Sequence, residues 1–139
     1  MDRLRGGRSA ATQESEDDHG TPPPVDVQAR SQQLIELDDA LRTLARSLAA
    51  DSHRMRNPGW AGKVADYRAV AADAAALERD GFDRAALTDL AAQVVPLYRA
   101  GVPVPAEYEA VADQHARAMA AADALRDVLA TEQPGQEQA

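Results

Sequence analysis

The side chains best suited to chemistry in this chain are three histidines, His19, His53 and His115. A metal centre inside a helical bundle needs Glu-x-x-His or His-x-x-x-His on one helical face. Three and four residues before His115 stand Ala112 and Val111, and after it Ala118 and Met119. That face supplies no second ligand, so His115 reads as a hydrogen-bonded or rim histidine and no metal is expected. Cysteine is absent, which excludes thiolate metal sites, disulfides and cysteine nucleophiles. Carboxylates are plentiful but stand at helical spacing from arginines, as in Asp38–Arg42, Asp80–Arg84, Asp113–Arg117 and Asp123–Arg126. Such spacing describes surface ion pairs, whereas acid–base catalysis needs a pair held in a pocket. Gly59 and Gly62 lack the x-x-x-x-Gly-Lys frame of a phosphate loop, and no serine occupies a Gly-x-Ser-x-Gly elbow. The expectation is a non-enzymatic protein without catalytic residues or cofactor.

Two local signals concern binding. Arg42, Arg46, Arg54, Arg56 and Lys63, with His53 among them, gather positive charge near one helix–helix corner. A nucleic-acid regulator would use such a corner as its footprint, as it would Arg5-Gly6-Gly7-Arg8. A net charge of −8 nevertheless makes the average phosphate interaction repulsive and disfavours that reading.

The second signal is Trp60-Ala61-Gly62 at the turn between two helices. It resembles the WXG-type (Trp-x-Gly) family of small helical hairpins exported by type VII secretion systems, usually as dimers. The resemblance covers about residues 27–80 and implies an exported hairpin protein with a partner. The chain departs from the family pattern downstream. Its second helix stops at Gly81, two more helices follow, and no tyrosine is followed four residues later by Asp or Glu.

These residues need elements to position them. Of 139 residues, 31 are alanine and 12 leucine. Alanine is the best helix former and lets helices approach closely, so the chain is expected to be an all-α antiparallel bundle of about four helices, two long and two shorter. After an Asp26 cap, Leu34, Leu37, Leu41, Leu44 and Leu48 alternate at spacings of three and four, the seam of a long bundle helix. Continued at sevens, the seam spans Val27 to Met55, with Arg30 and Asp51 breaking it. Asn57-Pro58 caps and opens a second helix whose face carries Trp60, Val64, Tyr67 and Leu77. Asp83 opens a third, expected to pass through Leu87, Leu90 and Val94 to Gly101 with a kink at Pro96. The fourth is expected from about Pro105 to Glu132, carrying Tyr108, Val111, His115, Leu125 and Leu129.

Residues 1–25 read as a disordered tail with a Pro22-Pro23-Pro24 spacer, 26–132 as the bundle domain, and 133–139 as a frayed end. The start has no apolar stretch after its basic residues, and no run approaches a membrane span. A cytoplasmic protein is expected, and 14 arginines against the single Lys63 look like high-GC bacterial codon usage. Helix 1 is longer than helices 2 and 3 can cover, so Leu34, Ile35, Leu37, Leu41, Leu44, Leu48 and Trp60 form the candidate interaction surface. A helical interaction or accessory protein is thus the expected function, its partner another protein or a second copy of this chain.

Overall fold

The computed structural model describes residues 26–132. The expected tail 1–25 and frayed end 133–139 lie outside the described residues. Within them run four α-helices, α1 (Val27–Ala49), α2 (Pro58–Asp80), α3 (Arg84–Ala92) and α4 (Ala112–Thr131), with 3-10 turns at Arg54–Arg56 and Ala106–Val111. Every described element is helical, and the helices pack as a bundle. No helix among the described residues is long and apolar enough to cross a membrane.

Local chemistry sets the helix starts. Asp26 accepts the Ala29 N–H at 3.0 Å, Asn57 accepts those of Gly59 and Trp60 at 2.8 and 3.3 Å, and Asp83 accepts that of Ala86 at 2.8 Å. Each carboxylate or amide satisfies a donor that the first helical turn leaves open. Pro58 occupies the first turn of α2, where its missing N–H costs nothing. Gly81, with φ of 110°, ends α2 in a conformation that side chains with a Cβ rarely adopt.

α1 is the centre of the molecule and packs against both α2 and α4, while α3 packs mainly on α4. Its five seam leucines are 0–1% exposed. Fully burying a leucine side chain stabilises by roughly 1.5–3 kcal/mol, so this row is the main apolar contribution of α1. Arg117 of α4 meets Glu36 and Asp39, and Ala121 and Ala124 lie beside Gln32 and Gln33. The two helices therefore run antiparallel.

Three helical boundaries and two ion pairs differ from the sequence reading. α1 ends at Ala49, and Met55 reaches the core from the 3-10 turn instead of from a longer rod. Asp51 accepts the Arg54 N–H at 3.0 Å, a local bond that competes with helix continuation. α3 ends at Ala92 rather than kinking and continuing to Gly101. Pro96 lacks an N–H and forces the residue before it out of the α region, so the helix stops ahead of it. The expected start of the fourth helix is wound as the 3-10 turn, and α4 proper begins at Ala112. Arg117 bonds across to α1 rather than to Asp113. Asp80 pairs with Arg79, while Arg84 donates to the Leu129 carbonyl at 3.1 Å.

Candidate functional site

Ending α3 early leaves carbonyl groups and a non-helical connector, 93–105, between α3 and the second 3-10 turn. Three side chains from two helices, α2 and α4, hold that backbone. Arg126 of α4 donates to the carbonyls of Ala91 and Val94 at 2.6 and 3.0 Å, and to Asp123 at 2.8 Å. Tyr67 of α2 donates its hydroxyl to the Val95 carbonyl. His115 of α4 accepts the Leu97 N–H on Nε2 at 3.0 Å. Gly101, with φ of 84°, turns the chain back. With its polar backbone anchored inward, the connector presents Val95, Val102 and Val104 outward at 64, 38 and 36% exposure.

The same region carries a continuous row of rings. Trp60 stacks on Tyr108 at 5.4 Å and 13°, Tyr108 on Tyr98 at 5.9 Å, and Tyr98 on His115 at 4.3 Å. The Arg54 guanidinium lies over the Trp60 ring at 5.3 Å, a cation–π contact. Trp60 Nε1–H donates to the Leu48 carbonyl at 2.9 Å, satisfying an acceptor at the end of α1. The row thus ties the α1–α2 corner through the connector to α4.

Burial sets the protonation of these groups. It lowers the pKa of His115, consistent with a neutral ring whose Nε2 accepts. It also raises the Tyr67 phenol, with Tyr108 and Asp66 adding to the shift. Tyr108 rises for the same reason and beside Glu107, with Arg54 opposing. Both phenols are therefore neutral at physiological pH.

Two open grooves meet at Lys63. The first, about 320 Å³, lies between α2 and the connector and is walled by Tyr67, Val70, Val95 and Leu97, with Asp66 beside Lys63. The second, about 260 Å³, lies at the corner between Arg54, Trp60, Lys63, Glu107 and Tyr108. Their walls suit an apolar side chain flanked by polar or charged neighbours.

The candidate interaction surface is placed differently from its sequence reading. Leu34, Leu37, Leu41, Leu44 and Leu48 are enclosed by the chain itself, because both α2 and α4 cover α1. Trp60 is buried beside them, and Ile35, at 48% exposure, is the member left open. The basic corner is divided. Arg54 and Lys63 line one groove, although Arg54 is also paired with Asp51 at 3.2 Å. Arg56 lies 3.3 Å from His53 Nδ1, and Arg46 is exposed in the last turn of α1. Arg42 is bound to Asp38 and belongs to a separate groove with Ile35, Glu36 and Asp39.

Sequence reasoning places Arg126 beside Asp123, a pair the structure keeps. It does not anticipate Tyr98, the Tyr67 hydroxyl or the reach of Arg126 to the Ala91 and Val94 carbonyls. Pro96 was the available signal, since a proline that ends a helix leaves carbonyls needing donors. Among the described residues, no group of three or more His, Asp or Glu side chains converges as a metal site would require. Gly62 is not needed for close packing, because a Cβ there would meet open space. No family model, curated protein or solved structure matches the chain, so the WXG-type resemblance stands on Trp60-Ala61-Gly62 alone.

Proposed function

We propose that this chain is a non-enzymatic helical interaction protein, an accessory subunit or adaptor of a larger cytoplasmic assembly, and that the connector 93–105 is the face it offers a protein partner. The observation that supports this reading is the exposure of Val95, Val102 and Val104 within one short segment whose backbone is anchored by Tyr67, His115 and Arg126. Apolar side chains grouped on a surface are what a partner buries. A segment already fixed in shape gives up little conformational entropy on binding. The adjoining groove with Lys63 and Asp66 at its edge adds a recess and two charges for orientation.

The nucleic-acid reading has less support. The Trp60 ring already carries Tyr108 stacked on it and the Arg54 guanidinium over it, so it is a poor platform for a base. A dimer built on the leucine seam loses its motive, since that seam is closed within one chain.

Affinity purification of the full chain from its native cells tests the reading. The expected result is a protein recovered with the wild type, lost with Val95→Asp and Val104→Asp, and kept with Ile35→Asp. A set of recovered proteins indifferent to all three substitutions would sink it.

A further inference from the structure

The geometry points to His115 as a proton-operated latch: protonating its ring replaces an acceptor with a donor facing the Leu97 N–H, and frees residues 97–104 while α1 and α2 stay folded. This goes beyond the proposed function, because the latch works whatever the connector binds. Nε2 of His115 accepts the Leu97 N–H at 3.0 Å, so the ring proton of the neutral form must sit on Nδ1. A proton added at Nε2 destroys that bond and places two donors face to face. The ring is 5% exposed, leaving little water to solvate the new charge.

Among the described residues, the groups around the ring offer no compensating charge. Tyr98, stacked on the ring, and Tyr108, next in the row, are phenols. On the 3-10 turn Glu107 and Glu109 are exposed, as are Asp113 on α4 and Arg99 in the connector. From α1, Glu36 and Asp39 are taken by Arg117. From α2, Lys63 and Asp66 lie along the groove on the connector's other wall. Burial is the single cause of the shift at His115, and it lowers the pKa below 6.5.

The sign follows. With the folded-state pKa below the unfolded one, the latch is fully closed above about pH 6.5 and weakens as pH falls from there to the folded value. What opens is bounded by the other anchors. Arg126 and Tyr67 hold the backbone up to Val95, upstream of the His115 bond. Downstream of Leu97, Tyr98 loses its stacking partner's position and the turn at Gly101 follows.

Amide hydrogen exchange of the full chain by NMR, normalised to intrinsic rates at each pH, tests the latch together with the His115 ring nitrogens. Protection of the 97–104 amides should fall about tenfold per pH unit from pH 6.5 to the lower pKa of the ring, then level off. Interior residues of α1 and α2 should keep helical chemical shifts throughout, with their protection falling at most in parallel through global unfolding, which shares the same proton linkage. His115→Gln, which gains no proton there, should show no such step. If that variant does not fold, the wild-type titration decides alone. Ring titration without a change in the connector overturns the latch, and so does loss of the helical chemical shifts of α1 and α2 over the same pH range.

Discussion

The α1–α2 hairpin is held mainly by apolar packing, whereas the connector between α3 and α4 adds several directional bonds to a smaller apolar anchor. In that anchor Val94 lies in the core, and Leu97 and Tyr98 pack against it. The hairpin is a continuous apolar contact in which Leu34, Leu37, Leu41, Leu44 and Leu48 meet Trp60, Val64, Tyr67 and Ala71. The connector carries outward valines and is fixed by directional bonds from Tyr67, His115 and Arg126. Burial is non-directional and tolerates small shifts, whereas each connector bond depends on one atom in one place. The regular half therefore supplies most of the stability, and the irregular half supplies a shape that individual side chains control.

The largest expected effect lies in the hairpin. Leu41 is fully buried on the face shared by α2 and α4. Leu41→Ala should lower the unfolding free energy by about 2–5 kcal/mol through lost transfer energy and a residual cavity. Urea titration followed by circular dichroism measures it, and a loss below about 0.5 kcal/mol would contradict the enclosure of the seam.

A smaller effect, confined to the other region, is expected at Arg126. Arg126→Leu removes the donor for the Ala91 and Val94 carbonyls, at a cost of about 1–3 kcal/mol for partly buried acceptors left open. Hydrogen exchange should show lower protection mainly in 91–97. A uniform loss across all helices would mean that the connector is not a separately controlled unit.

The smallest effect has the opposite sign. A methyl group at Gly62 meets nothing within 4 Å, and the residue lies inside α2. Gly62→Ala should raise stability by about 0.5–1 kcal/mol through the better helix propensity of alanine. Thermal denaturation resolves that increment. A destabilised variant would show that glycine is required at the corner, as the WXG-type turn implies.

Much of the hairpin was legible because its signals are local. The 3–4 spacing of the leucines and the caps at Asp26, Asn57 and Asp83 lie within a few residues of the structure they direct. Pro96 was legible as an interruption, but whether it kinks or ends a helix depends on what replaces the lost bonds. Those replacements come from far along the chain. Spacing pairs Arg117 with Asp113, yet its partners Glu36 and Asp39 sit on α1, and Arg126 reaches carbonyls on and just beyond α3. The stack Trp60–Tyr108–Tyr98–His115 likewise joins rings from four separate segments. Periodicity registers which face a residue occupies, not what waits on the opposite side.

The central place of α1 has a consequence for synthesis. The hairpin partner α2 follows α1 at once, but α4, which covers the remaining side, leaves the ribosome only after α3 and the connector. Chains grow at about 5–20 residues per second, so one flank of α1 stays uncovered for seconds in every newly made molecule. A nascent chain halted before α4 would carry an exposed leucine face, and neighbouring nascent chains on one messenger would meet through it. The order of these helices thus fixes when this protein is most open to misassociation: after the hairpin has closed and before α4 arrives.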